Sequence, residues 1–450
     1  MQKTIFLLLI FSGWATAAMA CSPSCSHAAA GQNQSPLYSQ WMVESQGLQW
    51  VNDHDWDYVP GLVAKAVIKA WAQYPEKNEY FDAVKAYADR AIGADGRIKV
   101  GESNVDDLAA GKIFFELIQQ MQTTGDTVAA NKYRFAVDFL RSKLKYEHAR
   151  IQEPLPGAGV FWHKKIYPNQ VWLDGLYMGA AFYAEWQANF APDDTESWSD
   201  IAKQFKIIHP YTYNAGTGLN YHAWSADPAD ANSFWAKKDK PFKGTSKEFW
   251  GRGMGWYFAA LADVLECMPQ THPDYPELVR IFNEVAAGLK AHQDANTGLW
   301  TQLLQYPAGT VFYAKNYPYL ADCDTKFQAT DTRENYFESS ASSMFACGFL
   351  KGLRLGVLDR DVYEPVARRA YQGLIDTFIS GQETGTVSIN QICLSAGLGP
   401  ANKPARDGSA EYYLFYDKGR EAGDIVSNEG KAIGPFILAS LEFERYFLGK

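Results

Sequence analysis

Twelve helical segments alternate strictly along this chain between two kinds, and no other feature narrows its fold as far. One kind is apolar almost all round and opens on small residues: 61–71 (GLVAKAVIKAW), 105–117 (VDDLAAGKIFFEL), 173–186 (LDGLYMGAAFYAEW), 253–266 (GMGWYFAALADVLE), 338–353 (ESSASSMFACGFLKGL) and 428–444 (NEGKAIGPFILASLEFE). The other kind is amphipathic and charged: 37–47, 79–92, 128–145, 195–206, 274–292 and 361–379. A helix apolar all round is buried, and an amphipathic one covers a surface. The alternation predicts an all-α fold in which six inner helices close into a ring and six outer helices surround them. An open helical solenoid is the alternative; the inner segments are too apolar to line an open concave face.

In such a ring the inner helices run parallel, so their N-terminal ends gather at one mouth. The segments feeding that mouth are long and aromatic: VNDHDWDY, then 151–172, 207–252 and 295–337. Long connections in compact domains tend to carry function, and helix N-termini favour anions. The chain holds 14 Trp, 26 Tyr and 26 Phe, more than a core alone calls for and suited to stacking on sugar rings.

Two acids begin inner helices, Asp106 (with Asp107 beside it) in NVDD and Asp174 in VWLDGLYM. Each could be a helix cap. Two carboxylates converging in an apolar cleft instead push their pKa values apart, leaving one able to donate a proton near neutrality. Burial among Leu173, Leu176, Tyr177 and Met178 is expected to raise the pKa of Asp174.

FWHKKIYPNQVW adds His163 and Trp172. A Thr-Gly turn in TGLNYHAW precedes the aromatic-flanked His222, and EFWGRGMGWY offers Trp250, Arg252 and Trp256. An Arg fork binds carboxylates and Trp faces stack on flat rings. His209, in HPY, is expected in a loop. There is no HExxH, no phosphate-binding Gly-rich loop and no GxSxG, so no metal or cofactor is called for. A net charge of −9 with no dense Lys/Arg run argues against nucleic acid.

The N-terminus MQKTIFLLLIFSGWATAAMAC has a charged start, a short apolar core and a small-x-small cleavage pattern. It predicts an export signal over 1–20, too short to span a bilayer, followed by a flexible tether over 21–36 and a single catalytic domain over 37–450. The product is expected to be periplasmic or secreted, with lipidation at Cys21 as an option. Six Cys are too sparse for a disulfide scaffold and lack zinc spacing; one disulfide among Cys267, Cys323, Cys347 and Cys393 is conceivable. Oligomeric state is not encoded in any readable pattern.

FWHKKIYPNQVWLDGLYMGAAFYAEW, EFWGRGMGWYFAALADVLE and NYFESSASSMFACGFLKGLRLG together resemble glycoside hydrolase family 105, the unsaturated rhamnogalacturonyl hydrolases, which are related to the unsaturated glucuronyl hydrolases. The resemblance runs from about Trp50 to NEGKAIGPFILA. It implies an (α/α)6 barrel, with Asp174 as general acid/base and Asp106 as a second essential acid. It also implies a substrate pocket of Tyr58, His163, Trp172, His222, Trp250, Arg252 and Trp256. The implied reaction hydrates the double bond of a 4,5-unsaturated uronyl residue at the non-reducing end of a lyase product, rhamnose-linked in pectin or ulvan. An ordinary inverting glycosidase on the same barrel, or a non-catalytic sugar-binding protein, are the alternatives.

Overall fold

The computed structural model describes residues 37–323, 327–419 and 421–450; the expected export signal and tether lie outside them. Helix α1 covers 38–53, with a π turn at Val43–Gly47. It is followed by α2 (Tyr58–Gln73) and α3 (Asn78–Ala91). Helix α4 covers 106–124, interrupted by a 3-10 turn at Ala110–Ile113, and α5 is Thr127–Ser142. Helix α6 covers 173–190, with a π turn at Leu176–Ala181. Then come α7 (Thr195–Thr212), α8 (Gly251–Cys267), α9 (Tyr275–Ala291), α10 (Ser339–Arg354) and α11 (Arg360–Phe378). A short α12 (Ala410–Phe415) precedes α13 (Gly430–Leu448).

Helices α2, α4, α6, α8, α10 and α13 each pack on the next, and α13 packs back on α2, so the inner ring closes. Each outer helix lies against the inner ring, α1 covering α13 and the neighbouring α2. This is the (α/α)6 barrel, and it has the six-plus-six order that the alternation predicts. Small residues permit the crowding: a Cβ on Gly61 would stand 2.3 Å from the Cβ of Ala110, and one on Gly434 2.8 Å from Leu62 Cγ. Acid side chains cap several of these helices, as Asp57 does for α2, Asp126 for α5 and Glu338 for α10.

Three expectations are corrected. His209 lies inside α7, buried, with Nε2 2.9 Å from Glu284 and Nδ1 3.2 Å from Tyr257; the helix runs through Pro210 rather than stopping before it. The thiols of Cys267, Cys347 and Cys393 are free, so no disulfide forms among the last four cysteines. The inner helices are also not apolar throughout. From about their midpoints onward Lys65 bridges Glu116 and Glu185, and Lys351 bridges Asp263 and Glu266. These charges meet around a cavity of about 60 Å³ on the barrel axis, to which all six inner helices contribute. Among the described residues, no helix is long and apolar enough to cross a membrane.

Candidate active site

The mouth is assembled by a short antiparallel ladder. Gln170–Trp172 pairs with Ala223–Ser225, Trp172 opposite Ala223, and the Leu173 amide donates to the His222 carbonyl at 3.0 Å. That pairing sets His222 against the first turn of α6, where Asp174 stands. His222 Nε2 is 3.0 Å from Asp174 Oδ2. Neither acid is a cap: Trp172 holds the N-cap position before Asp174, and Val105 holds it before Asp106.

Rings wall this pair in. His163 stacks on Trp172 at 4.5 Å and 14°, Trp172 meets His222 edge-on at 5.5 Å, and Trp250 lies 4.6 Å from His222. Gly175 is what lets His163 come so near, because a Cβ there would be 2.9 Å from its Nδ1. That Nδ1 is buried without a hydrogen-bond partner. Burial, helped by Lys164, pushes the His163 imidazole well below its usual pKa, so the ring is neutral.

Asp106 sits on the other side of His163, 3.9 Å from Nε2, and forms an ion pair with Lys164. Burial pushes the Asp106 carboxyl up, Lys164 offsets part of that, and the nearby charge of Asp174 adds to the rise. The doubled Asp resolves cleanly: Asp107 turns away and accepts the Gly101 amide at 2.6 Å.

Asp174 itself is a correction. Burial pulls its carboxyl upward, but the hydrogen-bonded His222, together with His163 and a backbone amide, outweighs burial and holds it below the usual range. The acid that stands high in this pair is Asp106.

Tyr58 and Trp256 form a second group, edge-on at 6.5 Å, with Trp256 also 4.8 Å from Tyr177. Burial, with Asp106 beside it, pushes the Tyr58 phenol well above its usual value. Trp250 spends its indole N–H on Gln302 at 3.2 Å. Arg252 is 1 % exposed and already engaged, donating to the Cys393 carbonyl and to Ser340 Oγ, with Glu338 3.9 Å away. The guanidinium therefore faces the protein, not an open fork.

Sequence reasoning missed three side chains. Lys164, the first Lys of HKK, is 27 % exposed at the side chain and is the cation on Asp106. Tyr413, from α12, places its hydroxyl 2.7 Å from His222 Nδ1 and its ring 5.8 Å from Trp250. Glu248, two residues before Trp250, has its carboxyl pushed up to about 7 by burial.

Comparison with known proteins agrees with this fold. The sequence profile of Glycosyl Hydrolase Family 88 matches residues 36–314 and 326–447. A glycoside hydrolase from family 105 of C. acetobutylicum is 36 % identical, covering 91 % of this chain and 99 % of its own, with a TM-score of 0.73. Protein Atu3128 of Agrobacterium fabrum is 31 % identical over 59 % of this chain and 97 % of its own length. The unsaturated rhamnogalacturonyl hydrolase YesR of Bacillus subtilis is 24 % identical over 57 % of this chain and 66 % of its own. The chain belongs to the glycoside hydrolases of families 88 and 105, an enzyme family built on the (α/α)6 barrel.

Proposed function

We propose that this enzyme removes the 4,5-unsaturated uronyl residue from the non-reducing end of polysaccharide-lyase products, with rhamnose as the next sugar, by hydrating the ring double bond. The observation that carries the reading is the pair of carboxylates at one mouth, Asp174 on His222 and Asp106 on Lys164, walled by aromatic rings. The substrate class comes from the resemblance and from what YesR is named for.

The chemistry needs a proton at C4 and water at C5. Protonating C4 of the enol ether leaves positive charge shared between C5 and the ring oxygen; water adds at C5 and gives up a proton. The resulting hemiketal opens to a C5 ketone, and the hemiacetal this leaves at C1 collapses to an aldehyde with release of the shortened sugar. Asp174 gives the first proton and takes the second, a role worth on the order of 10²–10⁴-fold. It is anionic in the free enzyme. A bound uronate brings a like charge and excludes water, and both raise a carboxyl's pKa, so substrate binding itself loads the proton. Asp106, ionised against Lys164, faces the charge that develops at C5. Lys164 is the exposed cation best placed for the substrate carboxylate, since Arg252 is committed elsewhere. The protein acts outside the cytoplasm, in the periplasm or secreted, with Cys21 as an optional lipid anchor; this rests on the N-terminal sequence alone.

Loss of the enol ether's ultraviolet absorbance on unsaturated rhamnogalacturonan, ulvan and chondroitin disaccharides tests the reading. Loss on a rhamnose-linked product supports it; saturated glycosides hydrolysed in their place would make the protein an ordinary inverting glycosidase.

A further inference from the structure

Tyr413 comes from the connection between α11 and α13, far in sequence from every acid of the site, yet it is the only side chain that hydrogen-bonds His222 on the side away from Asp174 among the contacts described. Ser409 caps the short helix that carries it, accepting the Tyr412 amide. The ring is buried and stacks on Trp250 at 25°. On its other flank, His222 rests against Gly253, where a Cβ would lie 3.0 Å from Cδ2. With Trp250 and Trp172 also against it, the imidazole has one orientation. What packing leaves open is which nitrogen carries the hydrogen.

For the neutral ring, hydrogen-bond inventory settles that. An ionised carboxylate only accepts, so the hydrogen between His222 Nε2 and Asp174 Oδ2 belongs to the ring. A neutral ring then has a bare Nδ1, and the Tyr413 hydroxyl at 2.7 Å is its donor. The opposite tautomer would set a lone pair of Nε2 against the carboxylate. Burial raises the Tyr413 phenol well above its ordinary value, with Tyr412, Glu248, Asp174 and Asp407 adding to the rise, so it stays a donor across the working range.

We propose that Tyr413 is a positioning residue that locks His222 in the Nε2–H tautomer and thereby keeps Asp174 oriented and anionic until substrate arrives. Its effect on rate rests on the unsaturated-uronyl reading; its effect on the tautomer does not. The other charged groups facing the pair are His163, Asp106 and Lys164 on the α4 side, and these are untouched by a change at residue 413.

Tyr413→Phe removes the hydroxyl and keeps the stacked ring. In histidine-¹⁵N spectra of the free enzyme, the wild type should show His222 with a bare Nδ1, and the variant should lose that signature. On lyase products, kcat should fall by on the order of 10²-fold with KM little changed, and the basic limb of the rate profile, where Asp174 loses its proton, should move to higher pH. In a His222→Gln background, where an amide donates to Asp174 without tautomers, Tyr413→Phe should add nothing. An unchanged ¹⁵N spectrum and pH profile, with only a lower Tm, would overturn the proposal, as would a full additive loss in the His222→Gln background. A wild type inactive on every unsaturated product would defeat the functional reading instead, while the spectrum would still decide the role of Tyr413.

Discussion

His222 Nε2 lies 3.0 Å from Asp174 Oδ2, and this contact is the chief of those that reverse what burial would do to the acid. A carboxyl set among apolar side chains is pushed toward its neutral form; the imidazole returns it to the ionised one. The enzyme therefore rests with its acid/base discharged.

Removing the imidazole exposes the opposing effect. His222→Ala should shift the basic limb of kcat/KM, set by Asp174 as proton donor, to higher pH and cost on the order of 10²-fold in kcat. Stability should change with it. Because Asp174 has a folded pKa below its unfolded one, it adds stability above the unfolded value of about 3.9. That stability is lost as pH falls through the folded value. Thermal melts between neutral pH and pH 3 should show the acid-side loss diminished in the variant.

Lys164→Met takes the ammonium from Asp106. Burial then acts unopposed by its main counter-charge, so the Asp106 carboxyl should rise further, and activity should require higher pH. KM for uronate-bearing substrates should rise by about tenfold or more, the loss of one charge-assisted contact. A variant with wild-type KM would remove Lys164 from substrate binding.

Gly175→Ala places a methyl where His163 Nδ1 already stands, 2.9 Å away. The ring must move off Trp172. Overpacking of this kind costs about 1–3 kcal/mol, and kcat should drop by more than that loss of stability would account for at assay temperature. Circular-dichroism melts beside steady-state kinetics separate the two.

Lys112 tests the far end of the barrel. Its ammonium is buried without a hydrogen-bond partner, 3.2 Å from the centre of the Tyr177 ring, and burial pulls its pKa down to about 8. A base with a folded pKa below its unfolded value gains stability as pH rises between the two, so the wild type should stabilise from pH 8 toward 10. Lys112→Met should abolish that slope and raise stability at pH 7 by on the order of 1–3 kcal/mol, read by denaturant titration.

The barrel was legible because two hydrophobic patterns, apolar all round and amphipathic, need no tertiary information to tell apart. Asp174 and Asp106 were legible because an acid at the head of an apolar helix is costly unless it is used. Tyr413 was not, since the 380–427 connection has no periodicity and one Tyr among several carries no mark. Lys164 sits in a Lys-Lys pair that looks like any solvated turn. Arg252 looked available because its sequence motif says nothing of the Cys393 carbonyl and Ser340 that take its donors. The direction of the Asp174 shift depended on a residue 48 positions away, which only the 170–172 and 223–225 ladder brings near.

The most direct measurement follows the ultraviolet absorbance of the enol ether in an unsaturated rhamnose-linked disaccharide, with wild type and Asp174→Asn side by side. Steady loss with wild type and none above background with Asp174→Asn is the predicted result. Loss that persists in Asp174→Asn, or no loss with wild type on any unsaturated product, would contradict the account.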